Sequence, residues 1–309
     1  NGTVLGGGGY YGGGIICDDS DPTLSNVNIT GNHANSKGGG IYCNNSSPTL
    51  LNVIVSGNTA SSSGGGITSN NSSPRFENVI ITNNTVSGNQ SNGGGISCHG
   101  AGTPTFTNVT ITGNSAEGPS SYGGGGIYCS SYASPVIVNT ILWNNYPQEV
   151  GFQSWDNPGS ITISYSDVQD GEGGIFTNNN GTVNWEEGNI DADPLFCYSD
   201  SSDYTLAENS PCVGTGENGA YMGAFGVGCE PYNFPPSDFS LLTPENGDTV
   251  YINSSNQNDS LLFQWEESID PDGDSIQYIF GIVIVGGWGA PSFTLMYEDT
   301  LEQTHLSLS

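Results

Sequence analysis

The phrase Gly38-Gly39-Gly40-Ile41-Tyr42-Cys43 restricts this chain more than any other feature, because close copies of it occur five times. The copies begin at Gly12, Gly38, Gly64, Gly93 and Gly124, and their isoleucines are Ile15, Ile41, Ile67, Ile96 and Ile127, spaced 26, 26, 29 and 31 residues apart. A proline follows in each copy (Pro22, Pro48, Pro74, Pro104, Pro135), then an asparagine (Asn26, Asn52, Asn78, Asn108, Asn139) and six residues later another (Asn32, Asn58, Asn84, Asn114, Asn145). The landmarks keep their order while the connection before the glycines lengthens. Repeats of about 20–50 residues are solenoids or propellers.

Period-2 alternation decides between the two. In "NVIVSGN", Val53 and Val55 alternate with Asn52 and Ile54, and the same inward pair recurs as Val27/Ile29, Val79/Ile81 and Val109/Ile111. Strands of three to five residues at this spacing are too short for propeller blades, which take four strands per ~40 residues. They suit an all-β, right-handed parallel β-helix with one repeat per coil and coils about 4.8 Å apart. The glycine triplet lets the chain turn tightly into the next face. Both asparagine columns are expected to bond amide to amide along the axis. The column Cys17, Cys43, Ser69, Cys98, Cys129 reads mainly as small core filler, with a disulfide between coils as the alternative.

The phrases "GGGIYC", "SSPTL", "NTILWNN" (139–145), "ISYSDVQ" (163–169), "NIDADPLF" (189–196) and "SPCVGTG" (210–216) resemble the secreted right-handed β-helix repeat proteins of environmental bacteria, within the pectate-lyase-like superfold. The resemblance covers residues 1–229, with regular coils over 1–150 and degenerate ones over 151–229. It implies a secreted or cell-surface protein and leaves the activity open. The chain opens at Asn1-Gly2-Thr3 without a leader-like stretch, and reads as a mature or trimmed product of something longer.

After Cys229 the texture changes. Residues 230–239, "EPYNFPPSDF", read as a linker. Residues 240–309 carry strands at sandwich-like spacing, and Trp265 and Tyr278 resemble the core aromatics of fibronectin type III domains. The stretch is short for that fold, so the sandwich is expected to be incomplete. Its "DPDGDS" turn sets Asp270, Asp272 and Asp274 on alternate positions, a spacing of hard oxygen ligands suited to Ca²⁺. The other reading is an acidic Asp-Gly turn. Cys197, Cys212 and Cys229 lie in an irregular region and are expected to supply one disulfide, which suits an oxidising compartment.

Charge narrows the partners. The chain has 31 acids against two cations, Lys37 and Arg75, a net charge of −29. Twenty-five of the acids lie in 151–309. Nucleic acid is not expected as a partner, and anionic membrane surfaces are poor ones, since both need a positive face. No stretch approaches the ~20 apolar residues of a membrane span.

Catalytic signals are weak. A lyase needs a base and cations beside a uronate, and Arg75 is more simply paired with Glu77 two residues along. A glycosidase needs two carboxylates about 5–10 Å apart. Asp18, Asp19 and Asp21 share one turn, but the matching turn of the next coil reads "NNSS". The histidines His33, His99 and His305 show no pairing with Cys or Ser in the sequence. The outward positions Ile54, Ile80 and Ile141 form an apolar stripe, which asks for a covering loop or a partner. Tyr42, Tyr128, Tyr132 and Trp143 are candidates for stacking on sugars. Asn-X-Ser/Thr triplets, including Asn253 and Asn258, are glycan sites only in a host that modifies them. The sequence is therefore read as an extracellular structural or adhesive protein, self-associating into filaments through its β-helix ends or outer faces or binding surface glycans. The alternative is a secreted lyase, glycosidase or carbohydrate-binding protein.

Overall fold

The alternation does wind into a coil. The structure, a computed structural model, describes residues 2–4, 9–88, 92–117, 123–155, 157–243, 245, 261–279, 300–301 and 305–308. It divides into two units, Asn1–Tyr232 and Asn233–Ser309.

The first unit is a parallel β-solenoid whose coils feed three sheets, here A, B and C in the order the chain meets them. Coil 3 shows the plan: Thr49–Leu51 and Ile54–Ser56 in sheet A, Thr59–Ala60 in B, Ile67–Asn70 in C. Sheet A runs through eight coils, from Gly2–Val4 to Gly181–Trp185, and sheet C through seven, from Ile15–Asp18 to Ile175–Phe176. Identical positions stack: Ile15, Ile41, Ile67, Ile96 and Ile127 pair successively in sheet C. The inward residues form one continuous apolar core that includes Val53, Val55, Val79, Ile81 and Val109. Within it Phe76 and Phe106 stack one coil apart, ring centroids 4.7 Å. Cys17, Cys43, Cys98 and Cys129 are buried free thiols in this core. Beneath the short strands of sheet B only small side chains fit, and Ala34, Ala60 and Val86 make a separate cluster.

The two asparagine columns do different work. Asn26, Asn52, Asn78, Asn108 and Asn139 have φ of 50–53° and form the bend inside sheet A, a left-handed conformation that asparagine tolerates better than most residues. Their amides lie 3.3–3.5 Å apart from Asn26 to Asn108, long for hydrogen bonds. The second column is buried and tight. Asn58 receives the backbone N–H and the Nδ2–H of Asn32 on one oxygen, both at 2.9 Å, and gives its own Nδ2–H to Asn84 at 2.9 Å and to the carbonyl of Ile29 at 2.8 Å. The same contacts continue through Asn114 to Asn145.

Each glycine of the triplet answers a separate constraint. Gly38 has φ +68°. A Cβ on Gly39 would strike the carbonyls of Gly65 in the next coil and of Thr59 in sheet B. A Cβ on Gly40 would sit 2.8 Å from the Gly66 carbonyl and 3.1 Å from Nδ2 of Asn58, inside the buried ladder.

Residues 151–229 were expected to be degenerate coils throughout. The winding continues only to Gly181–Trp185 and a bridge between Asp167 and Ile190. The chain then leaves the coil. Phe196–Tyr198, Asp203–Ala207 and Val227–Cys229 form their own small sheet, clasped by the disulfide Cys197–Cys229. This segment folds back along the outside of sheet A, where Ala224 donates its N–H to Thr110 Oγ1 at 3.0 Å and Gly223 donates to the Asn139 carbonyl at 2.8 Å. It is called the cover below.

In the second unit Leu241–Thr243, Leu261–Trp265 and His305–Leu308 form an antiparallel sheet, and Tyr278–Ile279 pairs with Thr300–Leu301. Trp265 and Tyr278 are buried with ring centroids 5.5 Å apart, and the Tyr278 hydroxyl accepts the Ser268 N–H at 2.9 Å. Asn253, Asn258 and most of the expected strands after Tyr278 lie outside the described residues.

Candidate functional site

The stripe that sequence placed on the outside is not open to solvent. Ile80 and Ile141 are 2 % and 0 % exposed. Ile141 packs with Leu206, Cys212 and Met222 of the cover, and Ile80 with Tyr204 and Ala224. Burying isoleucine side chains is worth about 1.5–3 kcal/mol each, which is the main force holding the cover down. Polar joints add direction: the Tyr204 hydroxyl meets Thr82 Oγ1 at 2.8 Å, and Asn139 Oδ1 takes the Glu217 N–H at 2.7 Å. The outer column loses that asparagine to the cover, and Asn108 Oδ1 is left buried without a hydrogen-bond partner.

Asp270, Asp272 and Asp274 do not converge. Asp270 Oδ1 accepts the N–H groups of Asp272 and Asp274 at 2.9 and 3.1 Å, which closes its own turn around Gly273. Asp272 turns its carboxylate to the Phe234 N–H at 2.6 Å. Among the described residues no three His, Cys, Asp or Glu side chains gather as a metal site. Asp18 and Asp21 serve the next coil, accepting from Asn44 Nδ2 at 2.7 Å and from the Ser47 N–H at 2.5 Å. Arg75 is paired with Glu77 at 2.7 Å on the surface. Of the three late cysteines, Cys197 and Cys229 are bonded and Cys212 is a buried free thiol.

His99 departs from the sequence reading, which found no serine or cysteine partner for it. Its Nε2 lies 2.9 Å from Ser63 Oγ and 2.8 Å from Ser97 Oγ, and its Nδ1 lies 2.6 Å from Ser130 Oγ. Burial, with the Lys37 charge adding to it, lowers the imidazole to about 3. A base that weak does not activate a serine near neutral pH, and all three hydroxyls are at most 2 % exposed. The cluster fastens the Ser63 connection over the outer side of sheet C, where Thr68 Oγ1 also bonds the Ser63 carbonyl at 3.0 Å. Ser97 is two residues away, but Ser130 and Ser63, 31 and 36 residues away, give no local signal in the sequence.

One more acid was missed. In coil 6 the glycine triplet is replaced by Pro147-Gln148-Glu149, and the Glu149 carbonyl takes the Ile127 N–H at 2.9 Å, as a third glycine does in the coils before it. No asparagine continues the ladder in coil 7. The Glu149 carboxylate fills that space, accepting Asn145 N–H at 3.0 Å and Asn145 Nδ2–H at 2.5 Å. It is 4 % exposed, and burial raises it to about 7, with Asp170 and Asp167 adding and the Asn145 bonds opposing. A cleft of about 380 Å³ opens beside it, lined also by Asn144, Gln148, Gln169 and Asp170. A protonated carboxyl beside a cleft is chemically able to act as a general acid. The cue was the one repeat whose glycines are missing.

The family model described as "Right handed beta helix region" fits residues 13–210. No curated protein and no solved structure matches the chain.

Proposed function

We propose that this chain, which belongs to the right-handed β-helix family, is a structural or adhesive component displayed outside the cell. One observation carries the reading: the ladder asparagines, His99 and the first-turn aspartates of the solenoid are spent on neighbouring coils. The asparagine ladder ends on Glu149, the His99 cluster is closed among buried serines, and Asp18 and Asp21 each serve the following coil. Catalysis needs such groups turned toward a substrate. The Cys197–Cys229 disulfide supports an oxidising compartment. A surface of net charge −29 keeps copies apart unless cations screen them, so assembly is expected to depend on divalent ions without a dedicated site at Asp270.

The test is electron microscopy of the purified protein with calcium and then with chelator, beside an assay on acidic polysaccharides. Regular filaments or sheets that loosen on chelation support the reading. Dispersed particles in both conditions, together with polysaccharide cleavage, overturn it. The cleft beside Glu149 favours a second reading as a sugar-binding or polysaccharide-cleaving protein, in which Glu149 is the acid and Asp170 the second carboxylate lining the cleft. Cleavage that disappears in Glu149→Gln, with the fold intact, would establish that alternative.

A further inference from the structure

The joint between cover and solenoid centres on a carboxylate. Asp167 belongs to coil 7 and is 0 % exposed. Its Oδ1 accepts the Ala192 N–H at 3.1 Å, where the chain leaves the last coil, and its Oδ2 accepts the Cys212 thiol at 3.2 Å, from the interior of the cover. Cys212 packs in turn on Ile141, Leu206 and Met222. Three segments therefore meet on one buried side chain, and both donors to it are neutral.

We propose that Asp167 is a proton-operated latch: protonated it lets the cover lie closed over the Ile80–Ile141 stripe, and ionised it drives the cover to lift. A buried carboxylate needs a cation or several strong donors to stay charged. Asp167 has one amide and one thiol, and a thiol is a weak donor. The titratable groups that bear on it are Asp191 and Asp193 beside the exit from coil 8, with Glu149 of coil 6. Every one of them is acidic. Burial is the largest cause raising Asp167 to about 7, with the bonds from Ala192 and Cys212 opposing and Asp191 and Asp193 adding.

The sign follows. In the lifted state Asp167 meets water and returns to the ordinary carboxylate value, so the closed state holds its proton more tightly. Closure is then strongest at acid pH and weakens as pH climbs from about 4 to 7, up to tenfold per unit, and is level above 7. The cover is the element set to move, since it packs on the outer side of sheet A while the coils beneath share a continuous core.

Cys212 reports the motion directly. In the full-length native protein, a brief pulse of thiol reagent followed by mass spectrometry reads the labelling of each free cysteine, normalised to the unfolded chain at the same pH. Cys17, Cys43, Cys98 and Cys129 sit in the solenoid core and serve as controls for global unfolding. The expected result is a normalised Cys212 rate that rises at least tenfold between pH 5 and 7 while the four controls stay protected. In Asp167→Asn, which keeps size and the Ala192 acceptor, the rate should be the same at both pH values. Far-ultraviolet circular dichroism establishes that this variant folds; should it not, Cys212→Ala read by hydrogen exchange at Met222, Gly223 and Ala224 tests the same pH dependence. A flat wild-type profile, an unchanged profile in Asp167→Asn, or Cys212 labelled in step with the four controls overturns the latch.

Discussion

Replacing Asn84 by alanine separates the two asparagine columns energetically. Asn84 stands mid-ladder and is 0 % exposed. Its Oδ1 holds the Asn58 N–H at 3.0 Å and the Asn58 Nδ2–H at 2.9 Å, and its Nδ2 reaches the Val55 carbonyl at 2.9 Å and Asn114 Oδ1 at 3.0 Å. Asn114 keeps the backbone N–H of residue 84, and Asn58 Nδ2 keeps the Ile29 carbonyl. What is lost is a partner for two buried hydrogens on Asn58 and one for Val55. At about 1–3 kcal/mol for each of these three buried groups left unmet, the change should cost about 3–9 kcal/mol. Asn78, in the outer column, contributes an amide contact of 3.3 Å and a backbone at φ 53°. Asn78→Ala should cost about 1 kcal/mol for the left-handed conformation, and Asn78→Gly only a few tenths. Urea unfolding followed by circular dichroism measures all three. The reasoning is refuted if Asn84→Ala costs no more than Asn78→Ala, or if Asn78→Gly is as damaging as Asn78→Ala.

Other expectations follow from the same geometry. Gly39→Ala forces a methyl against two carbonyls and should destabilise by several kcal/mol, visible as a large drop in urea midpoint. Glu149 is raised to about 7 in the folded chain, so the stability it contributes is complete below its ordinary value of 4.5 and is lost as pH rises through 7. Glu149→Gln should flatten that fall, by about 3 kcal/mol at most between pH 4.5 and 8 when unfolding is measured against wild type. Reducing the Cys197–Cys229 disulfide, which closes 32 residues of chain, should lower stability of the cover by about 3–4 kcal/mol. Limited proteolysis should then cut within 193–229 before the coils.

The winding was legible because it is local and repeated. Val53 and Val55 face inward for the same reason as Val79 and Ile81, so one turn read correctly predicts the rest. The role of Asn52 was not legible from type alone: Asn52 and Asn58 look alike in sequence, yet one supplies a backbone angle and the other a buried amide. The stripe Ile54–Ile80–Ile141 announced that something must cover it but not what. Its cover is built from Tyr204, Leu206, Met222 and Ala224, residues without periodicity, whose partners lie more than 60 positions earlier in the chain. Nor do Ser63, His99 and Ser130 show a motif, since the solenoid brings them together only by stacking coils.

The swap of glycine for Glu149 has a consequence for how such a chain can grow. From coil 2 to coil 6 each coil carries the same asparagine, so a 26-residue unit duplicated between coils 3 and 4 would find a matching amide on each side. At Glu149 that interchangeability ends, because its carboxylate accepts from Asn145 and has no amide hydrogen to hand on. Length in this solenoid is therefore free to vary by gene duplication on one side of a single residue and fixed on the other.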